Sequence, residues 1–407
     1  MKILLVQPYA LGPGHYEAYT QRLCAGFCKL SVDTTLITAA GTRGGWENEL
    51  PLRSLQAMKA NSSFLFTLDA GKKLQVIDRV MGRIRFLWTS WVVERVAFTH
   101  FVKDDYDILH FIDAEPITLS ILFLLFGKPQ NVFLTIPAPY TIPARGKSIY
   151  RYTYDPLRRA MARWLFKYIK PITHSQHVKK SLFNLKIVSK VEVPVIPWGI
   201  DTPSLTCNRL EARQKLGIKE DSPILGFFGY LLPQKGFDLV LKTWPSLNQK
   251  CLLLAFVHSD RPGGESKIRN RVQEAGINNR TLIKFGYASE KELALHIRAC
   301  DGILLPYQKT FQGESGIMAL ALSHQIPLIA ANTGRIGEVV SQNNLGIIFK
   351  PDSSLSFKEG IDKFLNFKKE EINQIKKNIN LYTKLYSWKE IANQHLMAYQ
   401  KDKKYER

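Results

Sequence analysis

Long apolar runs are missing from this sequence. No stretch approaches the roughly 18–20 consecutive apolar residues that a membrane-spanning helix needs. The longest, Ile117 to Phe126, reads as a buried helix or strand. Cysteine is scarce as well. Cys24, Cys28, Cys207, Cys251 and Cys300 have neither metal-ligand nor disulfide-framework spacing. Cys24 and Cys28, one helical turn apart, read as a buried pair of small apolar residues, and a reducing cytoplasm is expected. The opening Met1–Val6 is short for a signal peptide and runs directly into a strand pattern. No metal site is expected. Acidic residues are the other deficit: 35 Asp and Glu against 56 Lys and Arg give a net charge of +21.

Such a charge calls for an anionic partner. Its placement favours lipid over nucleic acid. Lys72, Lys73, Arg79, Arg83, Arg85 and Arg95 are interleaved with Phe86, Trp88, Trp91 and Phe98. A second stretch sets Arg158, Arg159, Arg163, Lys167 and Lys170 among Trp164, Phe166 and Tyr168. Cations mixed with aromatic rings suit the headgroup layer of an anionic membrane. Two amphipathic core helices with solvated basic faces would give the same pattern, and that reading stays open. Nucleic acid is not expected as a partner, because no helix-turn-helix, zinc finger or aromatic-basic sheet accompanies the charge.

What is present in quantity is alternation. The 407 residues suffice for two sizeable cores. Strands are expected at 2–7, 33–38, 108–111, 132–136, 171–173 and 192–196, with a helix over 15–29. A second series follows, with strands at 224–229, 251–258, 282–285, 302–305 and 326–330. Helices are expected at 236–246, 264–275, 289–299 and 314–323. This pattern implies an α/β fold of two doubly wound parallel sheets, Rossmann-like in both halves and facing a cleft. The expected divisions are 1–198, 199–385 and a terminal segment 386–407, whose helix returns to the first domain.

Two segments carry the chemistry. The strand 224–229 ends in a glycine turn, Gly229-Tyr230, with Lys235-Gly236 just beyond it. Further on, Gln312-Gly313-Glu314-Ser315-Gly316-Ile317 runs from a small-residue turn into a helix. Strand ends, exposed amides at a helix start and a lysine together suit a diphosphate. Lys235 would offset charge on a departing diphosphate, and Gly313 and Gly316 would permit close approach. Arg335 could grip phosphate through its fork of donors. On the first domain, the turn Gly12-Pro13-Gly14-His15 and the strand-end His110 are the corresponding candidates.

These residues, with Ile196–Asp201, Phe285-Gly286-Tyr287, Asp301–Pro306, Ile326–Ala330 and Thr333-Gly334…Glu338, are similar in order and spacing to retaining glycosyltransferases of family 4. The resemblance implies a GT-B architecture and transfer of a sugar, with retention, from a nucleotide-diphosphate sugar to a hydroxyl acceptor. The expected acceptor is a lipid-linked or cell-surface glycan precursor, handled by a cytoplasmic protein held peripherally at the inner membrane face. It implies no cofactor beyond the donor substrate. Lys235, Gln312 and Glu314 would act on the leaving group and the sugar. Gly229, Tyr230, Gly236, Phe285, Gly286, Tyr287, Pro306, Gly313, Ser315, Gly316, Ile317 and Arg335 would line the donor site. Gly12, Gly14, His15 and His110 would face the acceptor.

The sequence departs from the family at several of these positions. Tyr230 stands where arginine is usual, Gln312 and Leu320 where the family has paired glutamates, and Pro137 where it has histidine. Leucine accepts nothing from a ribose hydroxyl. A second reading therefore stands beside the enzyme: a non-catalytic GT-B subunit that binds membrane and supports an active protein partner.

Overall fold

The computed structural model describes residues 1–8, 15–41, 43–59, 76–137, 154–188, 192–203, 205–218, 222–247, 251–259, 263–311 and 313–403. The chain forms two compact units, one of Met1–Trp198 with Trp388–Arg407 and one of Gly199–Ser387.

In unit 1, β1 (Lys2–Gln7), β2 (Asp33–Thr38), β3 (Arg53–Gln56), β4 (Ile108–Ile112), β5 (Val132–Ile136) and β6 (Lys170–Thr173) form one sheet. Its order is β3-β2-β1-β4-β5-β6, parallel throughout. The central strands are buried on both faces, which is why they read as nearly continuous apolar runs. The helices are α1 (His15–Lys29), α2 (Val76–Lys103), α3 (Pro116–Phe126), α4 (Tyr154–Leu165) and α5 (Gln176–Asn184). Phe98 of α2, Phe123 of α3 and Leu165 of α4 share a core with Leu4, Phe111 and Leu134, so these three helices cover one sheet face. The expected strand at 192–196 is reduced to a single bridge between Thr173 and Val195. Pro194 and Pro197 cannot donate to a ladder. Cys24 is fully buried as expected, but its neighbour Cys28 is only half-buried.

Unit 2 repeats the plan. Its strands are β7 (Ile224–Tyr230), β8 (Leu252–His258), β9 (Thr281–Phe285), β10 (Gly302–Leu305), β11 (Leu328–Ala331) and β12 (Gly346–Phe349). They are parallel in the order β12-β11-β10-β7-β8-β9. Around them lie α6 (Arg209–Lys215), α7 (Phe237–Thr243), α8 (Gly264–Glu274), α9 (Glu290–Ala299), α10 (Gly316–Ser323), α11 (Gly334–Gln342), α12 (Ser354–Leu365) and α13 (Lys369–Leu385). Helix α7 stops at Thr243, short of the expected Ser246, because Pro245 has no N–H to donate to the Leu241 carbonyl. Asp301 anchors the amino edge of the sheet. It accepts from the Ile224 backbone at 2.8 Å and from Arg213 Nη2 at 2.8 Å.

The final helix, α14 (Trp388–Lys403), belongs to unit 1 and packs on α1. Between them lies a buried cluster of imidazoles and phenols. Tyr399 meets His110 Nδ1 at 2.6 Å, and His110 Nε2 meets Thr135 Oγ1 at 2.8 Å. Tyr19 meets His395 Nε2 at 3.2 Å and its ring packs on His174. Burial holds His110 well below the ordinary imidazole range, with His395 and His174 adding to the effect, and lowers His395 to about 4.

A base whose folded pKa is depressed takes up its proton more readily in the unfolded chain. Unit 1 should therefore be fully stable above pH 6.5 and lose stability as pH falls from there toward 4. His395 alone accounts for about 3 kcal/mol of that loss. Urea midpoints followed from pH 7.5 to 4.5 should decline through this window. A flat profile would contradict the coupling.

Candidate functional site

In a doubly wound sheet, ligands bind beyond the carboxyl ends of the strands where the winding reverses. In unit 2 that point lies between β7 and β10, which are neighbours in the sheet. The sequence places its two chemical segments there. Gly229 leaves β7 at φ +109°, and a Cβ at that position would come within 3.8 Å of Ile317 at the start of α10. Pro233–Lys235 form one tight turn, ended by Gly236 at φ +74°. A Cβ on Gly236 would stand 1.8 Å from the Pro306 carbonyl oxygen, so only glycine lets this turn lie against the end of β10. A backbone bond from Gln308 to the Gln234 carbonyl, 3.0 Å, locks the two loops together.

Lys235 is half-buried, and its ammonium lies over two rings, Tyr307 at 4.0 Å and Phe311 at 4.6 Å. Such rings attract a cation through their negative faces and restrict where it can point. Tyr307 is itself buried, and its hydroxyl meets Ser315 Oγ at 2.9 Å. Ser315 caps α10 by accepting from the Met318 amide at 3.2 Å. One tyrosine therefore ties the lysine to the helix start. Gly316 is exposed, with no atom within 4 Å of where its Cβ would be, so the first turn of α10 is open to a ligand. Sequence reasoning overlooked Tyr307 and Phe311. Two aromatic residues just after Pro306, close to a loop expected to hold a lysine, were the available signal.

Glu314 and Arg335 differ from expectation. They point at each other, Nε to Oε2 at 2.8 Å, with side chains only 7% and 4% exposed. Burial pushes the Glu314 carboxyl up, and Arg335 beside it pulls it down only in part. Burial alone would lower Arg335, but Glu314, Tyr382 and Glu338 together raise it, so the guanidinium stays charged. The sugar-facing role expected of Glu314 and the phosphate-facing role expected of Arg335 both require groups that are here committed to one another.

Tyr230 and the loop 285–287 lie along the carboxyl edge of the same sheet. Tyr230 stacks edge-on against His258, with ring centroids 5.3 Å apart. Phe285, Gly286 and Tyr287 end β9, two strands from β7 and so roughly 10 Å away across the sheet. Tyr287 is 77% exposed, and Arg269 covers the Phe285 ring. His110 does not border an acceptor as expected. It is fully buried, and both ring nitrogens are engaged within unit 1. Gly12, Gly14 and Gln312 lie outside the described residues, as does the side chain of His15.

Among the described residues, no group of three or more His, Cys, Asp or Glu side chains is placed to hold a metal ion. One Asp-x-Asp spacing is present, Asp105-Tyr106-Asp107. It precedes β4 at the amino edge of the sheet, where Asp107 accepts from the Lys2 backbone at 2.8 Å. Among the described residues no helix is long and apolar enough to cross a membrane.

Residues 208–381, most of unit 2, match the family model described as Glycosyl transferases group 1. Among curated proteins, an uncharacterised glycosyltransferase of Methanocaldococcus jannaschii is 22% identical over 241 residues, 56% of this chain. The match spans 59% of that relative, so the chain aligns with little more than half its length. Among solved structures, a glycosyltransferase of Rickettsia africae superposes over 98% of both chains, with TM-score 0.72 at 15% identity. Anabaena HepE, solved in complex with UDP, superposes over 98% of this chain and 100% of its own, with TM-score 0.71 at 14% identity. The chain shares the two-unit α/β GT-B fold with these structures, and its second unit carries the sequence signature of glycosyl transferases group 1.

Proposed function

We propose that the protein is a glycosyltransferase whose second unit holds the diphosphate of a nucleotide sugar at the switch between β7 and β10. The observation that supports this most directly is the Lys235 ammonium, held over Tyr307 and Phe311 beside the open first turn of α10. As the bond from the anomeric carbon to the diphosphate oxygen breaks, negative charge grows on the leaving group. A fixed ammonium and the amides of a helix start stabilise that charge more than they stabilise the bound donor. The acceptor oxygen forms the new bond, and its proton passes to the departing phosphate. In this reading the donor's own phosphate guides the acceptor to the face it leaves, so configuration is retained with no protein nucleophile. The proposed acceptor is a hydroxyl of a lipid-linked or cell-surface glycan precursor.

A ligand that binds only the folded state raises its stability, by about 2.7 kcal/mol at 100 times its Kd. Millimolar UDP, GDP or ADP should therefore raise the melting temperature, and Lys235→Ala should abolish the shift. Flat melting temperatures with all three nucleotides would sink the donor site.

The buried Glu314–Arg335 pair favours a second reading, because it removes a carboxylate from the turn where the donor sugar would lie. In that reading the unit binds nucleotide without transfer and supports an active partner. Nucleotide-dependent stabilisation with no hydrolysis or transfer from any nucleotide sugar would favour it.

A further inference from the structure

Helix α3, Pro-Ile-Thr-Leu-Ser-Ile-Leu-Phe-Leu-Leu-Phe, carries no charged residue. A helix apolar all round belongs inside a core, and the sequence alone suggests that position. Only one side of it is inside. Leu119, Leu122 and Phe123 are buried, whereas Ile121 is 40% exposed, Leu124 and Leu125 each 65%, and Phe126 55%. Phe123 stacks edge-on against Phe98 of α2 at 5.1 Å, bringing the last turn of α2 alongside, where Val102 is 71% exposed. Clustered exposed side chains of this size mark a surface meant to be covered.

The charges around the cluster identify the cover. Lys103 ends α2, Lys128 follows α3 after a single glycine, and Lys167 lies just past α4, all exposed. Lys128 reaches over the rings of Tyr168 and Trp164, which fixes α4 beside α3. Among the described side chains of these three helices, both acids, Glu94 and Asp155, are buried. Asp104 and Asp105 follow α2 directly, Asp104 bonded to His100 at 2.7 Å, so the apolar centre is framed mainly, not wholly, by cations.

Several residues that suggested a lipid surface from sequence are turned inward, although Trp88 is 49% exposed. Phe98 and Phe166 are in the core, Arg158 pairs with buried Glu115 at 3.2 Å, and Arg163 Nε donates to the Lys186 carbonyl at 2.7 Å.

We infer that the outer end of α3 is a docking surface for an anionic membrane, with Leu124, Leu125 and Phe126 entering the headgroup boundary and the surrounding cations meeting lipid phosphates. Apolar insertion combined with basic flanks is how a helix rests on such a surface, and the electrostatic part should weaken as salt shortens the Debye length. The inference does not depend on the transfer reading, since apo protein should dock equally well.

The test is co-sedimentation of the full chain with vesicles of phosphatidylcholine alone or with phosphatidylglycerol added. Binding should require the anionic lipid and weaken with salt. Leu124→Ser with Leu125→Ser should reduce it at least tenfold while leaving the far-UV spectrum and the UDP-induced melting shift unchanged. Equal sedimentation of wild type and double variant would overturn the inference. So would wild type that ignores anionic vesicles but is a dimer by light scattering and becomes monomeric in the double variant, since a second copy would then be the cover. Loss of the UDP shift in wild type would instead count against the donor site and leave docking intact.

Discussion

Gly236→Ala should cost unit 2 about 3 kcal/mol or more. Two penalties coincide at this residue. Its φ of +74° is left-handed, which costs a residue bearing a Cβ roughly 1–2 kcal/mol. The new Cβ would also stand 1.8 Å from a backbone oxygen, that of Pro306 at the end of β10, which cannot rotate aside like a side chain. Forced overpacking of this kind adds about 1–3 kcal/mol. Gly276→Ala separates the terms: φ there is +64°, but nothing lies within 4 Å of the new methyl. Urea unfolding should show the Gly276 variant losing only the dihedral cost and the Gly236 variant losing clearly more. Equal losses would mean that the Lys235 turn and the β10 loop are not held together, and Lys235 would lose its fixed position with them.

Much of the fold was legible because parallel strands buried on both faces leave apolar runs with turn residues between them. β1, β4, β5, β7, β8 and β10 all read this way. The strands that escaped notice are edges. β3 is Arg-Ser-Leu-Gln with no fully buried residue, and β12 alternates between half-buried and buried. β3 does not resemble a core strand, and the apolar β12, Gly-Ile-Ile-Phe, is only four residues long. At the site, Lys235, Gly236 and Ser315 could be read because glycine turns and helix caps are local features. The caging of Lys235 by Tyr307 and Phe311 depends on which side chains converge in space, as does the pairing of Glu314 with Arg335. Spacing along a chain does not carry that information. Helix α3 misled for a related reason. Its composition matches a core helix, and only the packing of α2 and α4 on one side shows that its other side is left outward.

Arg335→Leu should destabilise unit 2 by about 3–5 kcal/mol at neutral pH, the usual cost of leaving one buried charge without its partner. Glu314→Leu should cost less, since Glu338 and Tyr382 still interact with the guanidinium. The double variant should recover most of both losses, since two apolar side chains of suitable size replace a pair whose desolvation offsets much of its attraction. The sign with pH is a sharper test. Burial already pushes the Glu314 carboxyl up, and removing the cation pushes it higher. An acid whose folded pKa exceeds its unfolded value binds its proton more tightly when folded, so the loss in Arg335→Leu should be small at pH 5 and grow toward pH 8. A loss that is constant across that range would mean Glu314 does not depend on Arg335. The double variant also bears on the site itself. If UDP still raises its melting temperature as in wild type, the pair supports the turn and touches no ligand. If the shift disappears while the fold persists, the pair opens toward the donor and one of its members takes part in binding.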